Sequence, residues 1–302
     1  KNFYTENLVN LNLTKKINKF YKSQPKRTHC KNCNKKLTKP IFESFGIKYI
    51  SCNKCEHLNG IYDDTNKFVE WLYSRDGGKN YSHNYSKNYN LRVKNIYKPK
   101  VEFLRKIISK KIDLLDLGSG AGHFIKACEL LNIKASGLEP SKELTLIGNK
   151  FLKKNKIINM NMDKMNNYIE NSEKFNVISM ISVLEHLQKP NHIIESINKS
   201  NIKYIYLCVP LFSLSTLIEN SFKNVFPRQL AGAHTHLYTE KSLNYLAKKF
   251  NYQIVGEWWF GTDIADLYRS LLTTSKNYFL KKYNFFLKKY LFNQLDDIQK
   301  VL

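Results

Sequence analysis

Between residues 111 and 262, short apolar runs alternate with amphipathic stretches. This pattern predicts βαβ units and a mostly parallel sheet, hence an α/β fold of the doubly wound kind. Residues 112–117 (IDLLDL) read as a buried strand, residues 123–131 carry helical periodicity, and residues 135–139 read as a second strand ending in Glu139. Residues 156–163 read as a third strand and loop. Upstream, residues 1–28 are polar and rich in Lys and Asn, the pattern of an arm or loose helix. Residues 29–60 hold two close cysteine pairs, and residues 61–110 mix aromatics with Lys and take on helical spacing toward their end. Residues 263–302 read as a C-terminal helical extension.

The length of 302 residues and a hydrophobic fraction of 42% allow a sizeable core and exclude a disordered chain. The longest apolar stretch, residues 204–212, is broken by Pro210. It is about half of the ~18 to 20 residues a spanning helix needs. The first residues, KNFYTEN, lack the apolar core of a secretory signal, which predicts a cytoplasmic protein; the chain begins with Lys rather than Met. Lys plus Arg exceeds Asp plus Glu by 49 to 25, a net charge of +24. A basic surface attracts phosphates. Only six of the 49 basic residues are Arg, the better fork for phosphate and base edges, so the charge reads as AT-rich codon usage more than as a nucleic-acid footprint.

Cys30-Lys-Asn-Cys33 and Cys52-Asn-Lys-Cys55 are separated by 18 residues, which fits the spacing of a zinc site. Two thiolates from each of two turns, joined by a hairpin over residues 40–51, predict a zinc ribbon with Cys30, Cys33, Cys52 and Cys55 as ligands. Four saturating ligands make the metal structural. His29 and His57 flank the pairs and read as bystanders more than as substitute ligands, and Cys128 and Cys208 read as core residues.

The first strand of the α/β region runs into Gly118-Ser119-Gly120-Ala121-Gly122, and a helix follows. Such a bend lets backbone approach a ligand closely, and the helix start offers free N–H groups. Glu139 lies 19 residues after Gly120, near the distance at which an acid grips ribose hydroxyls. A phosphate-binding P-loop is excluded because no Gly-Lys-Ser/Thr follows, and the dinucleotide G-x-G-x-x-G fails because His123 stands at its last position. Asp116, two residues before the first Gly, favours a cationic ligand over a pyrophosphate.

Residues 116–122 (DLGSGAG) resemble motif I of class I S-adenosylmethionine-dependent methyltransferases. Residues 175–190, which contain Val183-Leu184-Glu185-His186, resemble that family's fourth strand and the turn after it, with Asn176 where an Asp is common. Residues 204–210 fit the fifth strand, residues 234–239 (HTHLYT) resemble the element before the sixth, and residues 252–260 fit the sixth. The resemblance covers about residues 80–265 and implies a Rossmann-like methyltransferase sheet. It implies S-adenosylmethionine as donor and S-adenosylhomocysteine as product. The donor contacts it implies are Asp116, Gly118, Ser119, Gly120, Gly122, Glu139, Pro140, Ile181 and Glu185, with Asp163 at the adenine amino group. The combination with a zinc ribbon resembles bacterial methyltransferases of nucleotide-linked or surface-glycan sugars. An RNA methyltransferase and a non-catalytic cofactor-binding module are the alternatives.

Methyl transfer needs the acceptor held roughly 3 to 3.5 Å from the methyl carbon, with a group to take its proton. The candidate bases are His186, His234 and His236, with Glu185 beside them. Glu185 and His186 alternatively cap the next helix. Tyr81, Tyr85 and Tyr89 recur every four residues and form one helical face; Tyr81 and Tyr85 either lid the cofactor or pack on the sheet. Asp263 either lines the acceptor site or caps the helix after it. The basic, amphipathic C-terminal stretch around Lys281-Lys282 and Lys288-Lys289 packs on its own domain or on a second copy in a homodimer, or makes weak contact with a membrane surface.

Overall fold

The structure is a computed structural model and describes residues 3–74, 86–230, 232–261 and 263–274. The chain divides into two compact units: Lys1–Phe68 with Pro210–Leu246 and Glu257–Leu302, and Val69–Val209 with Ala247–Gly256.

The first unit is organised on an antiparallel sheet. Its strands are β1 (Phe42–Ser44), β2 (Ile47–Ser51), β3 (Leu58–Gly60) and β9 (His236–Leu237), in the order β1-β2-β3-β9. The β1–β2 hairpin closes through Phe45 and Gly46, both at positive φ, which is the two-residue turn that matches strand twist. The hairpin is the one the cysteine spacing requires. The two further strands were not legible, because β3 has three residues and β9 two.

The N-terminal segment, read as an arm or loose helix, is a packed helix over Phe3–Tyr21. Leu11, Thr14, Ile17, Asn18 and Tyr21 are buried at helical spacing. With Asn7 counted, three of the six buried positions are polar, which is why the stripe reads as solvated. Asn7 explains one such case: its amide donates to Asn224 O at 2.8 Å and its oxygen accepts from Phe226 N–H at 3.0 Å. Helices Leu214–Ser221 and Asp263–Thr274 are tied by buried charges, with Arg269 between Glu219 (3.4 Å) and Asp266 (3.3 Å). Residues 275–302, with both Lys-Lys pairs, lie outside the described residues.

The second unit carries five parallel strands: β4 (Asp113–Leu117), β5 (Lys134–Glu139), β6 (Ile157–Asn159), β7 (Val177–Ile181) and β8 (Tyr204–Cys208). Their order is β6-β5-β4-β7-β8, so the chain reverses its direction of travel between β4 and β7. This is the doubly wound α/β arrangement that the alternating pattern predicts, and ligands bind such sheets at the carboxyl ends of the strands flanking the reversal. Leu114, Leu115, Leu117, Val177, Ile178 and Met180 are fully buried, as central parallel strands demand.

One strand does not form. Residues 252–260 follow helix Glu240–Lys249 in an irregular conformation with no ladder, and residues 253–260 are exposed. Their β-branched and aromatic content gives strand propensity, but propensity supplies no hydrogen-bonding partner. Among the described residues, no helix is long and apolar enough to cross a membrane.

Candidate active site and thiol cluster

The glycine bend sits at the carboxyl end of β4. Gly118, Gly120 and Gly122 have φ of 65°, 55° and 71°, the left-handed region that side chains resist. A Cβ at Gly118 would stand 2.7 Å from Val183 Cγ2, and one at Gly122 would stand 2.8 Å from Ile157 Cδ1. The bend thus packs without side chains against the loop after β7 on one side and against β6 on the other. Gly122 caps helix His123–Leu130.

Glu139 closes the end of β5. Its Oε2 accepts the Gly120 N–H at 2.7 Å and its Oε1 accepts the Ser141 N–H at 2.9 Å. Burial raises its pKa from the ordinary value, and these two N–H donors oppose the rise. Each carboxylate oxygen has two lone pairs, so both keep capacity for a ligand hydroxyl. Asp116, within β4, is buried and accepts from Ser179 Oγ at 2.6 Å. Burial pushes its pKa up to about 7, and the neighbouring Glu139 adds to the rise. A ligand cation beside it would favour the ionised form. The bend, the bonded acid at the next strand end and a buried acid awaiting a cation fit a nucleoside with a positively charged tail. Ser119 is buried, Ile181 is half-buried at the end of β7, and Pro140 is exposed after β5. Asp163 is exposed in the first turn of helix Met162–Glu170.

The loop after β7 is tightly determined. Ser182 takes φ 56° and donates its N–H to Cys208 O at 2.8 Å, and His186 N–H reaches Val183 O at 2.9 Å. This places Glu185 in a single 3-10 turn, Leu184–His186, 1% exposed. Neither carboxyl oxygen of Glu185 has a hydrogen-bond partner among the described residues, and burial pushes its pKa up to about 8. His186 Nε2 lies 4.0 Å from Glu185 Oε1, beyond hydrogen-bond reach. Its ring meets Tyr73 edge-on at 6.3 Å.

Tyr81 and Tyr85 lie outside the described residues. Tyr89, third in that series, is buried: its hydroxyl donates to Ala121 O at 3.0 Å and its ring stacks on His123 and Phe151. It braces the glycine bend from behind.

The other candidate bases, His234 and His236, belong to the first unit. His234 donates from Nδ1 to Gln229 O at 2.7 Å, and burial lowers its pKa. His236 lies in β9, fully buried, with Nδ1 2.8 Å from His57 Nε2. His57 stands outside the thiol cluster, as expected, but it is buried against His236, and burial holds its pKa well below the ordinary value. The backbone of Asp263 begins helix Asp263–Thr274; its side chain is outside the description.

The four thiols converge. Cys30 and Cys55 Sγ are 3.7 Å apart, Cys33 and Cys52 Sγ are 3.4 Å apart, and all four lie within 4.8 Å of one another. A tetrahedral site with metal–sulfur bonds of about 2.3 Å puts sulfur atoms roughly 3.8 Å apart. The two turns are near copies. Asn34 N–H bonds Cys30 O and Glu56 N–H bonds Cys52 O, and Asn34 and Glu56 each take φ 58°. Cys30 N–H reaches Lys35 O while Cys52 N–H reaches His57 O. Asn59 Nδ2 adds a donor 3.5 Å from Cys30 Sγ. The donor set and spacing fit one tetrahedral, thiophilic ion.

Residues 89–257 match the family model of the methyltransferase domain. No curated protein matches the chain. Solved structures with a similar arrangement include the plantazolicin methyltransferase BpumL in complex with SAH (17% identity over 71% of this chain and 87% of that one, TM-score 0.42). Another is magnesium protoporphyrin IX methyltransferase, ChlM, from Synechocystis PCC 6803 with bound SAH (12%, 66% and 94%, 0.49). A third is a SAM-dependent methyltransferase from Archaeoglobus fulgidus (14%, 71% and 92%, 0.42). The family match spans more than half of the chain and contains the glycine bend, both acids and the loop after β7. The chain belongs to the methyltransferase-domain family, as a class I S-adenosylmethionine-dependent methyltransferase.

Proposed function

We propose that the protein methylates a small-molecule or glycan acceptor, specifically a nucleotide-linked sugar of surface polysaccharide biosynthesis, in the cytoplasm, with one structural zinc ion in the thiol cluster. When bound, S-adenosylmethionine supplies an electrophilic methyl group on a sulfonium centre. Glu139 would hold the ribose hydroxyls, Asp116 the ammonium end, and the backbone of Gly118–Gly122 would line the approach. Asp163 would serve the adenine amino group. His186, at the carboxyl edge of β7, is the group of this unit suited to take the acceptor's proton.

One observation carries the acceptor reading. The thiol module is part of a larger sheet, because β3 pairs with β9 and the Cys30–Cys33 turn is bonded through Asn32 Nδ2 to Ser242 O at 2.9 Å. A detached nucleic-acid-binding finger would not be built so. Two sequence features support it: β7 leads into Val-Leu-Glu-His rather than the Asn-Pro-Pro-Tyr of base-amino methyltransferases, and Arg is scarce. The net charge of +24 favours the second reading, an RNA methyltransferase.

A tritiated-methyl transfer assay with the metal-loaded full chain decides between them. Label should pass to members of a nucleotide-sugar panel and not to bulk RNA. Label on RNA alone would establish the second reading.

A further inference from the structure

His57 and His236 are 179 residues apart in the chain, yet their rings share one proton position, Nε2 to Nδ1 at 2.8 Å. Which ring carries that proton is set by what lies behind His57. Thr239 and Ser242 form a reciprocal cap on helix Glu240–Lys249. Thr239 N–H donates to Ser242 Oγ at 2.8 Å, and Ser242 N–H donates to Thr239 Oγ1 at 3.1 Å. The Ser242 hydroxyl proton goes to Thr239 O at 2.9 Å, because a carbonyl only accepts. Ser242 Oγ therefore faces His57 Nδ1, 3.4 Å away, as an acceptor. That puts the ring proton of His57 on Nδ1 and leaves its Nε2 as the acceptor for His236 Nδ1–H.

We propose that His57 is a positioning residue that holds His236 as the Nδ1–H tautomer, with the lone pair on Nε2. Nε2 is then the nitrogen with which His236 acts as a base or an acceptor. His234 is held in the same form by the Gln229 carbonyl. Both histidines of the His-x-His element are thus set alike, one by backbone and one by a side chain of the cysteine module. Asn59 strengthens the link, since its Nδ2 donates to His57 O at 2.8 Å and its Oδ1 accepts from Lys31 N–H at 3.0 Å.

The test is nitrogen-15 NMR of the imidazole rings in the metal-loaded full chain, with His236 assigned by its loss in His236→Gln. No acceptor enters the measurement, so it is separable from the sugar reading. Wild-type His236 should show a protonated Nδ1 and a pyridine-type Nε2. His57→Phe should lose that pattern for the mixture of an unconstrained imidazole. His57→Gln, whose amide oxygen can accept the same proton, should keep it. A pyridine-type Nδ1 in the wild type would overturn the proposal, and so would an unchanged pattern in a folded, metal-retaining His57→Phe protein. If His57→Phe fails to fold, the wild-type spectrum and His57→Gln still decide.

Discussion

Gly120 donates its backbone N–H to Glu139 Oε2 at 2.7 Å. The contact ties the glycine bend after β4 to the end of β5, and it fixes the acid while leaving lone pairs for a ligand. Replacing Glu139 by Ala removes a charged acceptor from two N–H groups and from the ribose. A hydrogen bond to a charged group is worth about 1.5–3 kcal/mol. S-adenosylhomocysteine affinity should therefore fall roughly 10- to 100-fold by calorimetry. A 2′,3′-dideoxy analogue should bind wild type and variant with similar, weak affinity.

Asp116 gives binding a pH dependence. Its carboxyl is held at about 7 by burial, so much of it is neutral at pH 7. A bound ammonium group stabilises the ionised form, so ligand uptake drives proton release. Affinity should rise as pH increases through 7 and level off above it, falling by up to about tenfold per pH unit below. Asp116→Asn should bind more weakly and without this slope. Calorimetry at pH 6 and pH 8 in two buffers of different ionisation heat reads both the slope and the proton released.

Glu185 acts on stability. Its folded-state pKa is raised from 4.5 to about 8 by burial, so the folded protein keeps a proton that the unfolded chain releases. Stability from this group is fully present below about 4.5 and is lost as pH rises through about 8. Glu185→Gln lacks the titration. Urea unfolding should show the wild type weakening between pH 5 and pH 8 relative to the variant; parallel pH profiles would refute the shift.

The thiol cluster predicts one zinc per chain by elemental analysis. Cys52→Ser should lose the metal and lower Tm by an amount on the order of 10 °C, since structural zinc carries many kcal/mol of folding energy. Cys208→Ser, at the end of β8, should keep the metal.

What the sequence made legible was local. Asp116, the glycine bend and Glu139 sit on successive strand ends, and their spacing is fixed by one βαβ unit. The cysteine turns are similarly short-range. What stayed hidden depends on distant pairings. β9 has two residues and takes its meaning only from β3, and His57 acquires a partner only across 179 residues. The Phe3–Tyr21 helix hides its buried stripe because Asn7, Thr14 and Asn18 are buried through hydrogen bonds or close packing, and a hydropathy pattern does not register that. Residues 252–260 err the other way: strong strand propensity with no ladder in the described structure.

The central claim is that the bend at Gly118–Gly122, closed by Glu139 and backed by Asp116, grips the methyl donor. Calorimetric titration of the metal-loaded full chain with S-adenosylhomocysteine and, separately, with an oxidised nicotinamide dinucleotide tests it most directly. One equivalent of the first should bind and the second should not. Saturable uptake of the dinucleotide with no heat from S-adenosylhomocysteine would contradict it.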